Sequence, residues 1–149
     1  MAAFIIGGFV RDKILNRYSK DADIVCDGDG IQLAQLAALQ FDPKPNLSVF
    51  KNFGTAQLKL FIKGNTFEIE FVGARKESYN RDSRKPDVLP GTLEEDRLRR
   101  DFTMNTIAAK LHRNNFLEII DPLHGLEDIK NKIIRTPLPP AQTFIDDPL

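Results

Sequence analysis

The spacing of apolar residues switches repeatedly between a strand-like and a helix-like period. Phe4-Ile5-Ile6 is a short apolar run that ends at Gly7-Gly8, and Val10, Ile14 and Leu15 follow at helical spacing, which predicts a strand, a turn and a helix. Asp21 to Cys26 reads as a second strand, closed by Asp27-Gly28-Asp29-Gly30. A helix is expected over Ile31 to Leu39, with Leu33, Leu36 and Ala37 on its apolar face, and Gln40 to Asn46, which holds two prolines, ends it. Ala56, Leu58, Leu60 and Ile62 then alternate with Gln57, Lys59 and Phe61, and Gly64-Asn65 turns the chain into Thr66 to Val72, the pattern of a hairpin. Arg75 to Gly91 is charged, made locally basic by Arg75, Lys76, Arg81, Arg84 and Lys85, contains prolines and has no apolar period, so a long mobile loop is expected there. Helical spacing returns over Leu93 to Leu111, with Leu98, Phe102, Ile107 and Ala108 on one face. A strand near Phe116 to Ile120, a loop at Asp121-Pro122, a short helix near Leu126 to Lys130 and a short strand near Lys132 to Arg135 follow. Pro137 to Pro148 reads as an extended linker. Strands alternating with helices predict an α/β fold.

Composition narrows the class without choosing a chemistry. The 149 residues, 42% hydrophobic and 28% charged, suit one compact domain. Equal counts of 21 basic and 21 acidic residues give a formal net charge of +0, a poor basis for gripping RNA unaided. The single cysteine, Cys26, excludes an internal disulfide, and no apolar run reaches membrane-spanning length, so a reducing cytoplasm is the expected setting. His112 and His124 lack the paired His/Cys spacing of a zinc site.

Three ordered patches carry the candidate chemistry. In a strand, Asp21 and Asp23 project to one face while Ala22 and Ile24 face the other, so two carboxylates converge where a hard cation such as Mg²⁺ would take them together with phosphate oxygens and water. An isolated D-x-D is more often a solvated strand edge; the patches before and after it reverse that preference. An EF-hand is excluded, because counting from Asp21 the glycine position is Cys26 and the closing glutamate position is Gln32. Gly7-Gly8 would let backbone approach a phosphate, with Arg11 placed to pair with it and Asp12 to orient Arg11. Neither the P-loop nor the G-x-G-x-x-G pattern is present. Arg99-Arg100-Asp101-Phe102-Thr103-Met104-Asn105 adds cations for a triphosphate, with Asp101 and Asn105, one turn apart on the expected helix, able to hydrogen-bond sugar or base. A third carboxylate would come from Glu68 or Glu70, which share a strand face; alternation leaves that choice open.

At these residues the chain resembles the class II tRNA nucleotidyltransferase and poly(A) polymerase family, in its N-terminal head domain. GGFVRD is similar to the family's GGxVRD, KDADIV to its K-D-x-D strand, and RRDFTMNTIA to RRDFTINAxA, with Met104 and Thr106 as departures. Asp121-Pro122, Gly125 and Ile134-Arg135-Thr136-Pro137 are similar to the DPxxG and IRTP stretches that follow. The resemblance implies a nucleotidyltransferase fold, with a small twisted mixed sheet and flanking helices, over residues 1–136, with 137–149 leading toward a neck domain that carries the base-selecting motif. It likewise implies a domain fragment, with a helix upstream of Phe4 also lost. In the family an acidic residue stands five positions before an arginine, so Arg75 selects Glu70. Further implied are two Mg²⁺ ions, or Mn²⁺, held by Asp21, Asp23 and Glu70; nucleotide contacts from Gly7, Gly8, Arg11, Arg100, Asp101 and Asn105; CTP and ATP as donors; and the tRNA 3′ end as acceptor. A poly(A) polymerase, an enzyme adding part of CCA, and a non-catalytic nucleotide- or RNA-binding module are the alternatives.

Overall fold

The computed structural model describes residues 1–78 and 87–146. Its centre is a seven-stranded mixed sheet. In chain order the strands are β1 (Ala3–Ile6), β2 (Asp21–Cys26), β3 (Asn46–Phe50), β4 (Thr55–Ile62), β5 (Asn65–Gly73), β8 (Ala108–Lys110) and β9 (Ile119–Ile120), and they lie side by side as β3-β4-β5-β2-β1-β8-β9. β2 and β5 run parallel, and the other neighbours run antiparallel. Between β5 and β8, β6 (Arg75–Ser78) and β7 (Asp87–Pro90) form a separate two-stranded sheet.

Register assigns the two faces. Opposite Asp23 stand Ile6 on β1 and Glu70 on β5, and opposite Glu70 stands Gln57 on β4, so these four share the front face. The back face carries Ile24, Phe71, Ala56 and Leu58. Helix α2 (Gly30–Ala38) covers it, packing Ala34 and Ala38 onto Ala56, Leu58 and Phe71. Asp29 starts α2 by accepting the amides of Ile31 and Gln32. A Cβ on Gly30 would come within 2.7 Å of Val72 backbone, so only glycine lets the helix sit this close. Helix α1 (Gly8–Ile14) buries Val10. On the front face Ile6, Val25, Ala74 and Ala108 form a second apolar cluster, against which Leu93 of α3 (Leu93–Leu98) packs. Thr92 and Glu95 cap α3 reciprocally.

Several expectations are corrected. The helix predicted over 93–111 stops at Leu98; Thr103–Asn105 is a 3₁₀ turn and Ala108–Lys110 a strand. Asp101 takes the Phe102 amide at 2.7 Å, a local bond that competes with helix, and the edge of β1 gains a partner from the strand that follows. Asp101 and Asn105 are therefore not neighbours on a helix. The proposed mobile loop over 75–91 begins and ends as paired strands, while Arg81, Arg84 and Lys85 lie outside the described residues. The strand β3 was not predicted, and the short strand expected near Lys132 to Arg135 is absent; α4 covers Gly125–Asn131. In place of an extended tail, Pro140–Asp146 forms α5, with Pro140 in its first turn, where its missing N–H costs nothing. Leu36, assigned to the core face of α2, is 53% exposed.

Candidate active site

Strand β1 delivers the chain to Gly7, whose φ of 82° and ψ of −147° are open to glycine alone at low cost. A Cβ there would lie 3.1 Å from Nη1 of Arg100 and 3.2 Å from Oδ2 of Asp23. The glycine turn, the aspartate strand and the arginine patch thus meet at one point. α1 has only seven residues, so the positive charge here rests on Arg11 and Arg100 rather than on a long helix end.

Asp21 is exposed and Asp23 half-buried on the front face of β2. Burial pushes the Asp23 carboxyl above its ordinary range; Arg100 opposes that, while Asp21 and Asp96 reinforce it. The two glutamates of β5 separate clearly. Glu68, opposite Asp21, accepts from Gln57 Nε2 at 3.0 Å and pairs with Lys59 Nζ at 2.7 Å. Glu70, opposite Asp23, is exposed and has no side-chain partner among the described residues.

Asp96 organises the arginines. This fully buried carboxylate receives Arg99 through Nε and Nη2, at 3.1 and 2.9 Å, on one oxygen, and Arg100 through Nε and Nη2, at 3.3 and 3.1 Å, on the other. Its role was missed in the sequence, although its spacing three and four residues before the arginines on a helix is a readable signal. A chain of side chains continues the site: Arg11 bonds Asp12 Oδ1 through Nε at 2.9 Å and Asn105 Oδ1 through Nη1 at 2.9 Å. Asn105 Nδ2 then donates to both oxygens of Asp101, at 2.8 and 3.1 Å. Asp12 thus orients Arg11 as expected, and Asp101 and Asn105 meet through the 3₁₀ turn instead of a helix.

Among the described residues no three His, Cys, Asp or Glu side chains converge closely enough to hold a metal ion by themselves. The donor set nevertheless suits Mg²⁺, which commonly takes one or two carboxylates and completes its shell with phosphate and water. A carboxylate crowded by burial and by a second carboxylate is relieved by a cation, and Asp23 stands in that position. Gly7, Gly8, Arg11, Asp23, Arg100, Asp101 and Asn105 form a connected group, with Asp21 and Glu70 on the adjoining sheet face.

Residues 3–135 match the family model for the poly A polymerase head domain. The A-adding tRNA nucleotidyltransferase of Aquifex aeolicus is 39% identical over all of this chain and 17% of its own length, and the mitochondrial CCA tRNA nucleotidyltransferase of Saccharomyces cerevisiae is 39% identical over 97% of this chain and 28% of its own length. The chain therefore spans less than a third of either relative. Among solved structures, a tRNA-processing enzyme with CTP superposes with a TM-score of 0.80 at 36% identity, covering 99% of this chain and 35% of that one. A tRNA nucleotidyltransferase complexed with a primer tRNA and an incoming ATP analogue gives 0.76 at 35% identity, over 99% and 38%. With the strand-turn-helix, the paired aspartates and the arginine patch meeting in one site, and a family match running over nearly the whole chain, this protein belongs to the poly A polymerase head domain family.

Proposed function

We propose that this chain is the catalytic head of an enzyme that transfers nucleotides to the 3′ end of tRNA without a template, using CTP and ATP. The observation that carries this reading is the placing of Asp23 against both Gly7 and Arg100, so that one point offers a carboxylate for a cation, a guanidinium for phosphate and a backbone without a side chain in the way. The solved relatives holding CTP or an ATP analogue with primer tRNA support the choice of substrates.

Residues 1–136 carry the chemistry. Asp21, Asp23 and Glu70 would hold two Mg²⁺ ions, each by one or two of these carboxylates with the triphosphate and water completing its shell, and with Mn²⁺ as a substitute. Bound there, Mg²⁺ would supply Lewis-acid activation of the RNA 3′-hydroxyl and charge neutralisation on the departing pyrophosphate. Arg11 and Arg100 draw in the triphosphate, held at fixed angles by Asp12 and Asp96. Gly7 and Gly8 leave room for it. Asp101, whose amide partners leave only acceptor capacity, takes a ribose hydroxyl, and Asn105 braces it. Catalysis by these side chains is a matter of positioning and electrostatics. The single cysteine fits a reducing compartment such as the cytoplasm, and among the described residues no helix is long and apolar enough to cross a membrane.

A poly(A) polymerase or a partial CCA-adding enzyme would use the same site. The paired Asp21 and Asp23 disfavour a non-catalytic binding module, which has no use for a metal pair. Calorimetry with Mg²⁺ and ATP or CTP tests the reading: wild type binds, and Asp21→Ala and Asp23→Ala lose the metal-dependent part. Because the contacts address phosphate and sugar, the two nucleotides should bind this chain within about 1 kcal/mol of each other. Equal metal-dependent affinity in all three proteins would remove the site.

A further inference from the structure

The 3₁₀ turn that carries Asn105 is anchored at its first residue by the segment after β9. Thr103, 2% exposed, donates from Oγ1 to Asp128 Oδ2 at 2.7 Å, and its amide donates to the Arg135 carbonyl at 2.8 Å. Asp128, on α4 and 3% exposed, also accepts Arg135 Nε on both oxygens, at 3.2 and 3.1 Å. A Cβ on Gly125 would collide with the Thr103 carbonyl oxygen, so α4 starts hard against the same turn, and Thr106 Oγ1 closes the turn on that carbonyl at 2.7 Å. Asp128 bonds neither Arg11 nor Asp101 nor Asn105.

We propose that Asp128 is a positioning residue for the sugar of the nucleotide: through Thr103 it fixes the turn that presents Asn105, and through Asn105 it sets the aim of Asp101. The polarity of the chain leaves one arrangement. A guanidinium only donates, so Arg11 obliges Asn105 to present Oδ1 to it and Nδ2 to Asp101. With Phe102 and Asn105 donating to it, Asp101 retains only lone pairs, which suit a hydroxyl donor. If the Thr103 turn shifts, the Asn105 amide leaves Arg11 or Asp101, and the carboxylate loses its aim, since errors near 1 Å in such groups are costly. A clamp with a purely structural task could be met by apolar packing without burying a carboxylate; what Asp128 adds is a directional bond to Thr103.

This inference rests on the ribonucleotide reading above, and the test separates the two. Affinities of the isolated chain for ATP, for 2′,3′-dideoxy-ATP and for inorganic triphosphate, all with Mg²⁺, are compared by calorimetry. Wild type prefers ATP over the dideoxy analogue. Asp128→Ala and Thr103→Val lower that preference at least about fivefold while affinity for inorganic triphosphate stays within about twofold, because Asp12 still holds Arg11 and Asp96 still holds Arg100 when the turn shifts. Asp128→Asn, whose amide oxygen still accepts from Thr103, and Thr103→Ser keep the preference within about twofold. Should Asp128→Ala fail to fold by circular dichroism, the Thr103 pair decides. An unchanged preference in Thr103→Val, or an equal fall in triphosphate affinity, overturns the role of Asp128 and leaves the nucleotide site standing. A wild type that binds ATP and the dideoxy analogue alike removes the sugar contact and this inference together, and one that binds no nucleotide removes the proposed function.

Discussion

Gly7 and Asp23 face each other so closely that a methyl group on the glycine would stand 3.2 Å from the carboxylate oxygen Oδ2. Gly7→Ala would add strain at φ 82° and push on both Asp23 and Arg100. The expected cost is about 1–3 kcal/mol of stability, a fall in melting temperature of roughly 2–12 °C, with metal-dependent nucleotide binding weakened in the same variant. Thermal melts and calorimetry check both; a Gly7→Ala variant unchanged in each would contradict the contact.

The two glutamates of β5 should differ in function. Glu68 is already matched by Gln57 and Lys59, whereas Glu70 stands opposite Asp23 with its charge unmatched among the described residues. Glu70→Gln should lower nucleotide addition roughly a hundredfold or more in an active enzyme carrying this head, and Glu68→Gln only a few fold. Single-turnover rates decide it, and the reverse ranking would move the third carboxylate by two residues.

Arg97 is 3% exposed, and its Nε and Nη2 are buried without a hydrogen-bond partner among the described residues. Burial lowers its pKa, with Glu94 and Asp121 opposing. An unsatisfied buried donor costs on the order of 1–3 kcal/mol, so Arg97→Met should raise stability by about 1–2 kcal/mol, seen as a higher denaturant midpoint with unchanged slope. A clear loss of stability would mean that the guanidinium is satisfied in solution.

Cys26 is fully buried, and burial, helped by Asp29 and Asp27, pushes its thiol up from 9.0 to about 11. The neutral thiol is therefore favoured in the folded chain. Its contribution to stability is complete below pH 9 and is lost as pH rises toward 11. At a pH of about 8 the folded chain should resist iodoacetamide, and denaturant should release the reaction, as mass spectrometry would record. Rapid alkylation of the native protein would refute the burial.

Much of the site was legible because its parts are local. Gly7-Gly8 after an apolar run, and Asp21 and Asp23 two residues apart, fix their geometry over a few residues, as does the hairpin of β4 and β5. What escaped depends on distant partners. The segment after Leu98 has helical spacing, yet Ala108–Lys110 is drawn to the open edge of β1, and the sheet outweighs local preference. β3 follows two prolines and exposes both Val49 and Phe50, so it lacks the alternation that marks a half-buried strand; β4 recruits it. Asp128 acts across 25 residues of chain, a distance over which spacing says nothing. The different surroundings of Glu68 and Glu70 come from side chains of β4, which a single strand's pattern does not contain.

The tight seat of Gly30 on Val72 and Gly73 reaches through the sheet. Val72 lies two residues beyond Glu70 on the same strand and the same face, so a slip of β5 by one residue would drive backbone into α2 while turning Glu70 away from Asp23. The helix at the rear is a mechanical stop for the carboxylate at the front. A side chain at position 30, though it touches no substrate, should therefore be felt as lost metal binding, and the wear on this active site would begin behind it.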